Sequence, residues 1–161
     1  MVDTKYKGGG ENLSKVVAHL RDGKLVKGYF EAVVGSAEQL LRQKAPSLPR
    51  EIPVRPAEAK SAMQIPLESL KALFFVKTFE GRQNYSDIKF FKGQPAIEGL
   101  WVGVKFFDGE RTEGIVHNSI HYLMEPGFFL KPPDPNSNNE LMYVLKTSLT
   151  EFRVLAVTTT Y

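Results

Sequence analysis

Cysteine is absent from the 161 residues, which excludes disulfides, thiolate zinc sites, iron–sulfur clusters and a thiol nucleophile. Long apolar runs are absent too. No stretch reaches the roughly 18 uncharged apolar residues that cross a bilayer, and Met1 to Gly10 has no apolar centre of the kind an export signal needs. Strong charge of one sign is lacking: 21 Lys+Arg stand against 18 Asp+Glu. Amphipathic helices are scarce, with Ala37 to Lys44 and Ala57 to Met63 the only short candidates. The expectation is a soluble, cytoplasmic chain without membrane insertion and without a cofactor.

What the chain does have is self-similarity. Val16-Val17-Ala18-His19-Leu20-Arg21-Asp22-Gly23 leads into Lys24 to Phe30, and Val102-Gly103-Val104-Lys105-Phe106-Phe107-Asp108-Gly109 leads into Glu110 to Val116. Each is an alternating apolar run, an Asp-Gly pair, four residues and a further Gly, with the two Asp 86 residues apart. Met63 to Val76 matches Met142 to Leu155 in the same way, with Ser69 and Ser148 79 apart. Leu40-Leu41-Arg42 answers Phe129-Leu130-Lys131, which puts the surplus residues of the first half in a surface loop near Ser47 to Lys60. Two ordered matches at compatible spacing predict a duplicated unit.

Period-two alternation before each Asp-Gly pair is the pattern of a half-buried strand entering a tight hairpin. The turns are Asp22-Gly23 and Asp108-Gly109, and Gly28 and Gly114 mark bends in the returning strands. Third strands are expected at Gln39 to Gln43 and Gly127 to Lys131, fourth at Ala62 to Ile65 and Leu141 to Leu145. A single turn, Pro66 to Ser69 or Lys146 to Ser148, precedes final strands at Lys71 to Lys77 and Thr150 to Val157. The predicted fold is mainly β: two tandem five-stranded SH3-like or Sm-like small barrels. In residue numbers these are a flexible tail at 1–14, a first barrel at 15–77, an aromatic bridge at 78–99 through which the barrels pack, a second barrel at 100–157 and a tail at 158–161.

The phrase Pro126-Gly127-Phe128-Phe129-Leu130, continued by Pro132-Pro133-Asp134-Pro135-Asn136-Ser137-Asn138-Asn139-Glu140, together with Ala72 to Gly81 and the two hairpins, resembles an uncharacterised bacterial family of duplicated small β-barrel domains. That resemblance implies architecture and no assigned activity. The hairpin frame is also similar, more generically, to Sm-like RNA-binding proteins, although Met1 to Ser14 offers no good opening helix.

Catalysis needs a nucleophile with a base, paired carboxylates or a metal cluster. His117 and His121 are four apart, but the Asn118-Ser119 between them reads as a strand end and turn, so no metal site is assigned; His19 is expected to be exposed. A PilZ-type nucleotide clamp is not matched, since Arg50 and Arg55 are five apart rather than four. The best binding candidates are Lys131, Asp134, Asn136, Ser137, Asn138 and Asn139, on a proline-stiffened loop rich in hydrogen-bonding groups, with Trp101 and Phe128 nearby. Residues 1–80 hold 13 basic and 9 acidic side chains against 8 and 9 in the remainder. The excess, at Arg42, Lys44, Arg50 and Arg55, suits an anionic partner.

The expected function is a non-catalytic ligand- or protein-binding module in a bacterial cytoplasm, with strand addition near Arg153 to Val157 as one route. The alternative is RNA binding through an Sm-like barrel and the basic 42–60 loop.

Overall fold

The computed structural model describes residues 14–31, 48–81, 84–93, 95 and 97–159. Among them the backbone is overwhelmingly extended, and all ten strands belong to one antiparallel sheet. β1 (Ser14–Leu20) turns through Asp22-Gly23 into β2 (Leu25–Phe30); β3 (Glu51–Pro56) and β4 (Met63–Pro66) follow, and a 3₁₀ turn at Leu67–Ser69 leads into β5 (Leu70–Val76). The second half repeats this as β6 (Gly99–Phe106), β7 (Arg111–Val116), β8 (Gly127–Lys131), β9 (Asn139–Leu145), a 3₁₀ turn at Lys146–Ser148 and β10 (Leu149–Thr158). Strand order across the sheet is β10-β6-β7-β8-β9-β5-β1-β2-β3-β4.

Both halves therefore have the same internal order, fifth strand first, then one to four. Their registers agree residue for residue. Leu20 faces Leu70 and His19 faces Ala72 across a bulge that skips Lys71; Phe106 faces Leu149 and Lys105 faces Glu151 across a bulge that skips Thr150. The turns agree as well. The Gly23 amide donates to the Leu20 carbonyl at 3.0 Å and Gly109 to Phe106 at 2.9 Å, while the Arg21 and Phe107 amides reach the Ser69 and Ser148 carbonyls at 2.9 and 2.8 Å. Each turn is closed by its aspartate, Asp22 Oδ1 accepting from the Lys24 amide at 2.9 Å and Asp108 Oδ1 from the Glu110 amide at 3.1 Å. Gly23 and Gly109 take φ of +93° and +92°, the left-handed conformation that favours glycine.

Gly28 and Gly114 are required by close approach. A Cβ on Gly28 would stand 2.3 Å from the Arg55 carbonyl oxygen, and one on Gly114 would stand 2.7 Å from that of Lys131. The first half's third strand is thus Glu51–Pro56, paired with β2 and β4. This corrects the sequence reading: Arg55 rather than Arg42 answers Lys131, and the surplus residues lie between β2 and β3, not at Ser47 to Lys60. The segment Gln39 to Gln43 lies outside the described residues, as does Ala37 to Lys44. A four-residue helix not foreseen, α1 (His121–Met124), fills the corresponding β7–β8 connection.

The halves join through a strand ladder. β5 pairs with β9, Leu73 opposite Tyr143 and Phe75 opposite Leu141. Every residue of β5 is buried, because its two faces feed two different cores. Leu70, Leu73 and Phe75 join Val16, Phe30, Ile52 and Ile65 on one side, where Leu141, Tyr143 and Leu145 of β9 also lie. Ala72, Phe74 and Val76 join Val102, Val104, Phe106 and Leu130 on the other. Each half's core is completed by the outward side chains of the other half's junction strand. The result is one open sheet with two cores; separate barrels are not what the strand pairing describes.

Candidate binding surface

The loop after β8 spends its polar groups on the 78–91 segment. Asp134 is almost fully buried. Its Oδ2 accepts from the Tyr85 hydroxyl at 2.6 Å and the Ile88 amide at 3.0 Å, and its Oδ1 from the Asn136 amide at 2.9 Å. Ser137 Oγ donates to Asp87 at 2.8 Å and accepts from the Asn139 amide at 3.0 Å. Asn138 clasps Thr78 with its Oδ1 and Nδ2, both at 2.9 Å. The crevice left between loop and bridge is about 40 Å³, room for a water and little more.

Trp101 belongs to the same assembly. Its indole Nε1 donates to Glu113 Oε1 at 2.9 Å, the oxygen that also accepts the Phe91 amide at 3.0 Å, and the Phe91 ring meets the indole edge-on at 5.9 Å. Phe128 is buried on β8 and edge-packed on Phe152 at 5.3 Å. Lys131, half-buried, ends β8. Along the bridge, Phe79 packs edge-on against Tyr29, whereas Ile88 and Phe90 are exposed.

Charge gathers at one point across the halves. Lys71 Nζ reaches Asp108 Oδ2 at 2.7 Å and Glu110 Oε2 at 2.9 Å while lying 4.7 Å from the centre of the Phe106 ring. Burial pulls the ammonium pKa down, but the hydrogen bonds and charges of the two carboxylates outweigh it and hold it above the usual lysine value. The hydrogen bond from Lys71, with the Glu110 amide, holds Asp108 below the carboxylate range. His19 is half-buried against Phe74, ring centres 4.3 Å apart, rather than exposed as expected. Burial first, and then the Lys71 charge, push its pKa down, with Glu110 opposing. Among the described residues no three His, Asp or Glu side chains converge on a point.

Of the four basic residues proposed for an anionic partner, Arg42 and Lys44 lie outside the described residues. Arg50 is exposed. Arg55 is already engaged: its Nε pairs with Glu31 at 3.2 Å, and its guanidinium sits over the Tyr29 ring at 4.9 Å.

The unsatisfied surface is elsewhere. β10 ends the sheet, so among the described residues no strand pairs with its outer edge. Val154, Leu155 and Val157 on it are exposed, and so are Ile120, Leu123 and Met124 at α1. Beside β10 and α1 lies a mostly apolar cavity of about 330 Å³ lined by Leu123, Phe128, Lys146, Leu149, Thr150, Glu151 and Phe152. Burial lowers the Lys146 pKa, against the charge of Glu125. The sequence flagged Phe128 and the 153–157 stretch, but not Leu123 or the cavity, which exist only once α1 and β10 are brought together.

Taken together these features define an antiparallel β protein with one long, apolar, unpaired edge. Residues 12–156 match a family of unknown function, DUF6982, and the chain belongs to that family. No curated protein and no solved structure matches it. No helix among the described residues is long and apolar enough to cross a membrane.

Proposed function

We propose that the protein is a non-catalytic binding module that takes an extended segment of a partner protein onto the outer edge of β10. The observation that carries this is the coincidence of a ten-residue strand, unpaired on its outer edge among the described residues, with an apolar cavity at its side. Soluble proteins usually blunt such edges by shortness, proline or covering. A small molecule of suitable size would fill about 330 Å³, but it would leave the backbone donors and acceptors of β10 to water. An added strand serves both.

We read the two halves as copies of one curled five-stranded unit, SH3-like or Sm-like in layout; the shared strand order, bulge and turn bonds support it. The nucleic-acid reading draws its remaining support from the exposed Arg50, since Arg55 is paired and stacked.

Panning a displayed peptide library on the full chain tests the proposal. Extended sequences of alternating apolar and polar residues are expected to be enriched, and the enrichment is expected to vanish with Leu123→Glu plus Val154→Lys, two exposed positions whose change leaves the cores alone. Enrichment indifferent to that pair, or none at all, would refute it.

A further inference from the structure

The internal junction shows what the free edge lacks. In the first half, Ile52, Leu67, Leu70 and Leu73 are buried beside Leu141, Tyr143 and Leu145, the β9 side chains that point away from their own half. By the repeated register, their counterparts in the second half are Phe128, Lys146, Leu149 and Phe152. These four line the apolar cavity. The exposures agree: Phe75 is 7% exposed, and its counterpart Val154 is 50% exposed. The cavity is the place where a β9-like strand is missing.

Resting on the strand-addition reading above, we infer that the partner segment is an antiparallel strand of the order apolar, acidic, aromatic, basic, apolar. Its register is copied from β5 and β9, where Phe75, Phe74, Leu73 and Ala72 face Leu141, Met142, Tyr143 and Val144. On β10 the same positions are Val154, Arg153, Phe152 and Glu151. The first, third and fifth partner residues cover the cavity, the third replacing Tyr143 opposite Phe152. The second and fourth stand opposite Arg153 and Glu151, where β5 has Phe74 and Ala72, and like charge directly opposite is unfavourable. Arg153 is well exposed and pairs with Glu151 at 3.4 Å, a carboxylate that also takes Arg111 at 3.4 Å, so an acidic partner residue opposite Arg153 is accommodated.

A second copy of this chain fits poorly through its other free edge, β4, whose corresponding residues Ala62, Gln64 and Pro66 would stand in for Leu141, Tyr143 and Leu145. Gln64 would occupy the aromatic position, and Met63 and Ile65 would face Arg153 and Glu151. Through β10 itself, antiparallel about Phe152, a second copy would set Glu151 opposite Arg153, but the polar Thr150 would stand where the junction has Leu141.

The test uses the full chain and three fluorescent peptides with identical flanks, built around Leu-Glu-Tyr-Lys-Leu, Leu-Lys-Tyr-Glu-Leu and Leu-Glu-Ala-Lys-Leu. Anisotropy titration is expected to give saturable binding of the first, several-fold weaker binding of the charge-swapped second, and at least tenfold weaker binding of the third, because a buried aromatic anchor carries most of such an interface. Arg153→Glu is expected to weaken the first peptide and improve the second. Equal binding of all three, or no binding, overturns the inference. Concentration-dependent self-association of the free chain, whether or not the first peptide competes it away, overturns it in favour of a second copy. If panning enriches β10-dependent strands of another order, strand addition stands and this order falls.

Discussion

Single residues carry the electrostatics that hold the halves in register. Tyr143 is fully buried at the junction, and burial, aided by the Glu125 charge, pushes its phenol up to about 12, against the pull of the Leu48 and Gly127 backbone. The unfolded chain ionises near the ordinary value of 10, so the folded state loses stability as pH rises from 10 towards 12, by roughly 2–3 kcal/mol in all. Urea denaturation at stepped pH is expected to show that slope, and Tyr143→Phe to flatten it; the remainder above 10.5 belongs to Lys71, whose raised pKa acts in the same direction. His19 works at the other end. Its lowered pKa means the unfolded chain takes up a proton first, so stability falls as pH drops through 6.5, and His19→Gln is expected to remove that fall. Neither role was legible beforehand, because Lys71 and His19 lie on two strands and Asp108 in the turn between two others, and their meeting depends on the fold.

At the scale of elements, the hairpins and the 3₁₀ turns were legible because their signals are local: Asp-Gly at a positive φ, alternation before it, a serine closing the turn. β3 was not, because Pro53 and Pro56 within Glu51–Pro56 read as loop. The usable signal was Ile52 and Val54, both fully buried, alternating with Pro53 and Arg55. Close approach at this pairing gives a direct check. Gly28→Ala and Gly114→Ala each force a methyl into backbone, and each is expected to cost about 1–3 kcal/mol or more in thermal denaturation, whereas Gly93→Ala, with nothing within 4 Å of its Cβ, costs nothing measurable. The loop after β8 is likewise a structural clasp in its geometry. Asp134→Ala strands the Ile88 amide and the Tyr85 hydroxyl, and is expected to cost roughly 2–4 kcal/mol and to speed hydrogen exchange at Ile88.

For the whole molecule, the sequence carried the fact of repetition but not the way the copies meet. The all-buried run Leu70 to Val76 was the clue that one strand serves two cores; no pattern names its partner, since pairing of β5 with β9 is decided by which edges are left over. The same logic gives the free edge its meaning. β5 is covered by β9, its counterpart β10 by nothing described, and the account turns on that asymmetry. Amide hydrogen exchange on the full chain measures it directly. The outward amides between Phe152 and Leu155 are expected to exchange far faster than those between Leu73 and Val76, and to slow towards the β5 level when a panned or Leu-Glu-Tyr-Lys-Leu peptide binds. Equal protection of the two strands in the free protein, or binding that protects the 131–139 loop and leaves β10 unchanged, would contradict the account.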